Sequence, residues 1–165
     1  ALVAGADVFV QNLSPAAAER AGVLARQLHA AHPRLIACDV SGYGLDGPRT
    51  DDKAYDLAIQ AEAGAIALTG SPDEMSKVGF SVADIASAMY AFSSILAALY
   101  RRNLTGQGAA ISLSMLEWLA EWAAPQIYTA ANTGASPRHP MIAPYGTFGL
   151  ADGRSVKRRV GRSKL

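Results

Sequence analysis

From Lys77 to Gly106 the chain reads KVGFSVADIASAMYAFSSILAALYRRNLTG, a short apolar lead-in followed by one long helical pattern. Ile85, Met89, Phe92, Leu96 and Leu99 recur at steps of four, three, four and three. That spacing defines one helical face, which is expected to be buried. Asp84 opens the helix just after the extended-looking Val78-Gly79-Phe80. A carboxylate in that place meets the positive end of the helix dipole and unpaired backbone N–H groups. Both favour the ionised form, which makes Asp84 a candidate carboxylate nucleophile. Ser81 to Asp84 also fits a capping box, with Ser81 as N-cap and Asp84 reaching back from the third helical position. Local sequence leaves both readings open.

The chain ahead of this helix reads as strand, helix, strand. Ala6 to Val10 is a short apolar strand, and Ser14-Pro15 is a helix start with proline at the first helical position. The helix is expected to break near Gly22, resume to about Ala31 and stop at His32-Pro33. Arg34 to Ser41 is the next strand. This order predicts a parallel βαβ unit and an α/β fold. Tyr55 to Leu68 reads as a helix interrupted at Gly64, Ala109 to Leu113 as a strand, and Met115 to about Ala131 as a helix capped by Ser114. Trp118 and Trp122 share one side of that last helix and read as packing residues. Asn132 to Pro144 is loop-like, and Tyr145 to Phe148 leads as a strand toward a hairpin at Asp152-Gly153.

Several chemistries are excluded or weakened. Gly42-Tyr-Gly-Leu-Asp-Gly47 spells a dinucleotide-type G-x-G-x-x-G, but Pro48 and the polar run to Lys53 follow it where the fingerprint needs a helix. A nicotinamide-binding domain is therefore a distant reading. There is no P-loop and no G-x-S-x-G. Cys38, the single cysteine, lies in an apolar strand, where a thiol is inert packing and no intrachain disulfide can form. His29, His32 and His139 have no metal-ligand spacing.

No leader pattern points to secretion, and the best apolar run is ended by Arg101 and Arg102 short of a membrane span. The expected setting is the cytoplasm. Lys157, Arg158, Arg159, Arg162 and Lys164 turn a body of about −4 into the formal +1, so the chain lacks a basic nucleic-acid surface outside its tail. Around Asp84, the residues Arg20, Lys53 and Asp56 add charge suited to an anionic or phosphorylated ligand.

Ala6-Asp-Val-Phe-Val-Gln-Asn-Leu-Ser-Pro15, Glu19-Arg20-Ala-Gly22 and Pro33-Arg-Leu-Ile36 together resemble blocks of the family III CoA-transferases. That family includes formyl-CoA transferase, the carnitine CoA-transferases and α-methylacyl-CoA racemase. Ser41-Gly-Tyr-Gly44 with Gly47-Pro48, Ala54-Tyr55-Asp56, Val82-Ala-Asp84 and Thr105-Gly-Gln-Gly108 look like its following blocks.

The resemblance implies a Rossmann-like α/β fold of parallel strands with long helices. It implies CoA transfer between an acyl-CoA and a carboxylic acid, with Asp84 as the catalytic aspartate passing through covalent aspartyl intermediates. Coenzyme A and acyl-CoA are then substrates, and no covalently held cofactor is expected. The resemblance further matches Asn12 and Leu13 to residues at the adenine end of CoA, Arg20 and Lys53 to residues near its phosphates or adenosine, and Ala54-Tyr55 to the pantetheine side. Leu13 stands where the family has an aromatic. In the racemase branch a histidine precedes the acid matched by Asp56. Tyr55 stands there, and a phenol is a poor general base at neutral pH, so transfer is favoured over racemisation.

Family members are considerably longer and form interlocked homodimers. The chain is accordingly expected to be a fragment, truncated at both ends: a partial family domain over 1–155 and a basic, disordered non-family tail over 156–165. An inactive remnant or interaction module is the alternative reading, and exposed apolar surface is expected with it.

Overall fold

The computed structural model describes residues 2–71, 73–134, 145–149 and 155–159. Two units are distinguished, Ala1–Ala123 and Ala124–Leu165. The first is an α/β layer structure. Strands β1 (Val8–Gln11), β2 (Ile36–Ser41) and β3 (Ala109–Ser114) form a parallel sheet in the order β1-β2-β3. The register sets Val8 beside Ile36 and Ile36 beside Ala109. Parallel neighbours require crossovers. Helices α1 (Pro15–Ala21) and α2 (Ala25–Ala31) make the first. The second contains α3 (Asp56–Glu62), α4 (Ala65–Leu68) and α5 (Val82–Thr105).

The break between α1 and α2 falls where sequence places it. Gly22 takes φ 68°, a left-handed conformation that ends α1, and its N–H bonds back into that helix. The central strand β2 is buried over nearly its whole length and alternates its side chains between two covers. Ala37 packs with Ala25, Leu28 and Leu35 under α2. Cys38 packs on the other face with Ala91 of α5 and Leu113 of β3. Asp39 points to the α2 side and is 1 % exposed. Both of its carboxylate oxygens accept the Ala25 N–H, at 3.0 and 2.9 Å, and Oδ1 also accepts from Gln11 Nε2 at 2.7 Å. This buried carboxylate thus closes the N-terminus of α2 from inside the sheet.

Helix α5 runs antiparallel to the strands. At its C-terminal end the Arg102 guanidinium donates to the Asp7 and Arg34 carbonyls at 3.2 and 3.1 Å and to Asp7 Oδ1 at 2.9 Å. Those residues precede β1 and β2, so Asp84 stands at the opposite, carboxyl edge of the sheet. The face that α5 buries is not the expected one. Ala83, Ala86, Ser87, Ala91 and Ala98 are buried, while Ile85, Met89, Phe92 and Leu96 are exposed and Leu99 is half-buried. Close approach to the sheet selects the small side chains, and the bulky stripe faces outward. The helix is also long and apolar enough to cross a membrane by length and composition, with a mean hydropathy of 1.6 over its best window. The sequence expectation of too short a run is corrected on that count, although α5 lies here on β2 and β3.

Helix α6 (Met115–Thr133) leaves β3 directly, and Ser114 Oγ accepts the Glu117 N–H at 3.4 Å. Trp118 and Trp122 pack as expected: Trp118 stacks on Tyr90 at 4.1 Å between centroids, and Trp122 Nε1 donates to Tyr90 Oη at 3.0 Å.

In the second unit, β4 (Tyr145–Gly149) and β5 (Ser155–Arg159) form an antiparallel pair, Tyr145 beside Arg159 and Gly149 beside Ser155. Residues 156–159 therefore belong to a strand, where the composition suggests a disordered tail. Residues 160–165 of the expected tail, and 135–144 of the expected loop, lie outside the described residues.

Candidate active site at the start of the long helix

The carboxyl edge of a parallel sheet is where its loops converge. Asn12 and Leu13 leave β1 at that edge, Gly42 to Tyr55 leave β2, and α5 begins there. Ile59 of α3, Ala63 just past its C-terminus, Ala83 of α5 and Leu119 of α6 form a buried cluster beneath, joined by Tyr43 and Ala54. Ala54 lies so close to Gly42 that a Cβ on that glycine would collide with its methyl group. The loop therefore needs a residue without a side chain at 42 to bring Lys53-Ala54-Tyr55 down onto β2. Arg49 braces the same loop. Its guanidinium lies 4.1 Å over the Tyr43 ring, bonds Asp52 at 2.8 Å and pairs with Glu62 of α3.

The N-terminus of α5 is not closed by a capping box. Ser81 makes no side-chain cap bond. Instead Asp56, the first residue of α3, reaches across: its Oδ1 accepts the Ala83 N–H at 2.8 Å and the Asp84 N–H at 3.4 Å. Its other oxygen accepts from Gln60 Nε2 at 2.6 Å. Gln60 is fully buried, donates also to the Phe80 carbonyl at 3.3 Å, and accepts the Val78 N–H at 2.8 Å. Asp56 and Gln60 thus tie the segment leading to Asp84 onto α3. The sequence marks Asp56 as nearby charge, but neither its capping role nor Gln60 stands out from local pattern. The signal was present in their four-residue spacing, which places both on one face of α3.

This arrangement leaves the Asp84 carboxylate without a hydrogen-bond or ion-pair partner among the described residues, on an exposed position. Partial burial, and then the charge of Asp56, push its pKa up. The expectation that the helix end favours the ionised form is corrected in direction, since the shift is upward. Asp56 already occupies the N–H groups that would have stabilised the charge, and it brings a like charge.

Asp56 follows Tyr55 directly and bonds the backbone at Ala83 and Asp84, so Lys53, Ala54 and Tyr55 are brought to the Asp84 end. Lys53 and Tyr55 are exposed and Ala54 is half-buried. Asn12 and Leu13 are exposed at the same sheet edge, where the Leu13 N–H donates to Gln11 Oε1 at 2.6 Å. Arg20 is set apart. It sits in the last turn of α1, exposed and without an ion pair among the described residues, and nothing ties it to the Asp84 end. Cys38 is buried, and burial followed by the Asp39 charge pushes its thiol up to about 11, in keeping with inert packing.

Residues 1–162 match the family model described as CoA-transferase family III. The chain belongs to CoA-transferase family III. Among its curated relatives, the acetyl-CoA:oxalate CoA-transferase of Acetobacter aceti is 35% identical over 158 residues, covering 92% of this chain and 41% of the relative. The succinate–glutarate CoA-transferase of Agrobacterium fabrum is 34% identical, covering 92% and 40%. A CaiB/BaiF family protein from Brucella suis has the same fold, with a TM-score of 0.78 at 35% identity over 92% of this chain and 42% of that one. The chain spans about 40% of the length of these relatives. The family match runs past Ser155 into the basic stretch, beyond the point where the sequence blocks ended.

Proposed function

We propose that this chain carries the nucleophile and part of the CoA-binding surface of a family III CoA-transferase, with Asp84 as the nucleophile. The observation that carries the reading is the Asp84 carboxylate at the mouth of α5, without a partner among the described residues and held by a backbone that Asp56 and Gln60 fasten to α3. The buried Asp39 is, by contrast, engaged through both carboxylate oxygens.

In the proposed sequence, one Asp84 oxygen attacks the thioester carbonyl of an acyl-CoA and expels the CoA thiolate, forming a mixed anhydride. The thiolate attacks the Asp84 carbonyl carbon, releases the donor acid and leaves an aspartyl–CoA thioester. An acceptor carboxylate attacks that thioester, expelling the thiolate once more. The thiolate then takes the acceptor acyl group from the second anhydride and regenerates Asp84. Each step exchanges one acyl bond for another, so no external reductant or oxidant is needed. Asn12, Leu13, Arg20, Lys53, Ala54 and Tyr55 are proposed to hold CoA. The substrates are an acyl-CoA and a free carboxylic acid, the pairing that the names of the relatives share. Assembly as a homodimer is proposed with it.

Incubation of the chain with succinyl-CoA, followed by hydroxylamine and peptide mass mapping, tests the reading. A hydroxamate on Asp84, absent from Asp84→Asn, is the expected product. Thermal unfolding with and without CoA is run alongside. A cooperative transition raised by CoA, and raised less in Arg20→Ala, is expected. A folded chain indifferent to CoA and without an Asp84 adduct identifies a non-catalytic remnant and overturns the proposal.

A further inference from the structure

Gln60 is a polar side chain with no exposed surface. A buried amide is tolerated only when both of its ends are engaged. Nε2 donates to Asp56 Oδ2 at 2.6 Å and to the Phe80 carbonyl at 3.3 Å, and Oε1 accepts the Val78 N–H at 2.8 Å. These partners allow one orientation of the amide. Turned over, it would set Oε1 against two acceptors and Nε2 against an N–H. The bonds act in two directions. Two of them hold Val78 and Phe80, 18 and 20 residues further along the chain. The third engages Asp56 Oδ2 and leaves Oδ1 for the α5 amides of Ala83 and Asp84. The Phe80 carbonyl also accepts the Val82 N–H at 2.8 Å, so the held segment runs straight into α5. Every one of these partners belongs to this chain.

From this network we infer that Gln60 is a positioning residue for Asp84: its neutral amide fixes where the Asp84 carboxylate leaves the first turn of α5, and with that the rate at which the carboxylate attacks a thioester. The inference rests on the reading of Asp84 as the nucleophile. Gln60 is fully buried and acts through Asp56 and the backbone, not on the substrate. A displacement of about 1 Å at a reacting atom can cost on the order of 100-fold in rate, so a group that holds the approach to Asp84 on both sides has a large lever on the chemistry. The amide itself is what the site needs, not only its volume. A glutamate of the same shape has no donor when ionised. It would also set a second carboxylate beside Asp56, and two like charges at that separation share one proton. With the shared proton in place, one donor to Asp56 or to the Phe80 carbonyl is restored.

Succinyl-CoA is titrated against the full chain, and the rate of hydroxylamine-trapped adduct at Asp84 is followed by peptide mass mapping. Gln60→Met is expected to lower the maximal rate by about tenfold or more, with the half-saturating succinyl-CoA concentration within about twofold of the original. Gln60→Glu is expected to be as slow at about pH 8 and to recover part of the loss at about pH 5.5, where the shared proton returns. Taking each rate relative to the unchanged chain at the same pH removes the titration of Asp84 and Asp56 that the two proteins share. Far-UV circular dichroism confirms that each variant is folded. If neither folds, amide hydrogen exchange in the unchanged chain decides: Val78, Ala83 and the Gln60 side-chain amide are expected to open together. An adduct that forms at the same maximal rate in both variants, a loss confined to half-saturation, a Gln60→Glu rate ratio indifferent to pH, or amides that open independently would overturn the inference while leaving Asp84 as the nucleophile. No adduct in the unchanged chain overturns the reading of Asp84, and this inference with it.

Discussion

Asp56 Oδ1 accepts the backbone N–H of Ala83 at 2.8 Å and so closes the N-terminus of α5 from the start of a different helix. The same oxygen reaches the Asp84 N–H at 3.4 Å. A cap supplied from outside the helix leaves the first-turn aspartate itself without a structural task. The reactive candidate and its support are therefore two residues, each with one role.

Replacing Asp56 is expected to loosen α5 at its start. Asp56→Ala strands two backbone N–H groups and one Gln60 donor, and a loss of about 1–2 kcal/mol is expected. Asp56→Asn keeps an acceptor at Oδ1 and should lose less than half as much. Urea unfolding followed by far-UV circular dichroism compares the two, and equal losses would mean that the cap bond is not what Asp56 contributes.

Asp84→Asn is expected to stabilise the fold slightly at neutral pH, read as a small rise in Tm. The folded-state pKa of Asp84 is raised by partial burial and by Asp56. The folded chain therefore binds more protons than the unfolded one between the two pKa values, and stability falls as pH rises through that window. The cost is fully present above the folded pKa and absent below the unfolded one, so the advantage of Asn should vanish in acid. A pH series of melting curves for both proteins checks this. A gain that is the same at every pH would rule out the charge as its origin.

Asp39→Ala is expected to be among the most damaging single changes. It removes a 1 % exposed carboxylate that holds the N-terminus of α2 and the Gln11 amide. A loss of about 2–4 kcal/mol is expected from the orphaned donors and the space left behind. Asp39→Asn retains acceptors and should cost less. Chemical denaturation of the three chains measures the order, and a near-neutral Asp39→Ala would contradict the capping role.

Cys38 should resist alkylation in the native state. Its thiol is buried and pushed up to about 11, so at pH 8 both access and thiolate fraction are low. Iodoacetamide is expected to label it only after denaturant is added. Labelling in seconds under native conditions would show that β2 opens readily.

The sheet was legible from local pattern. The strands at Val8–Gln11 and Ile36–Ser41, and the helix pair broken at Gly22, all sit close to where turn residues and apolar runs placed them. These features depend on neighbours in sequence, on proline and glycine backbone preferences and on strand alternation. The loop at Gly42 to Lys53 was also legible, because Pro48 and the polar run exclude a helix there.

The candidate site was legible only in part. Asp84 at the start of α5 followed from the sequence. The cap from Asp56 did not, because its bond to Ala83 spans 27 residues and a nearby Ser81 offers a local alternative. Which face of α5 is buried was also misread. Hydrophobic periodicity marks a face that avoids water, but it does not say what covers it. The sheet accepts alanines because a helix must come close to parallel strands, and the larger residues are left for whatever lies beyond.

By itself the sequence determined the order of elements, the parallel α/β class, the family blocks and the position of Asp84 at a helix start. These rest on interactions within a few residues, which local chemistry can satisfy only in a few ways. Tertiary structure alone decided that Asp39 closes α2, that Asp56 and Gln60 fasten the approach to Asp84, and that α5 turns its bulky stripe outward. Those outcomes depend on which distant groups the fold brings within hydrogen-bonding or packing distance, and local pattern carries no information about them.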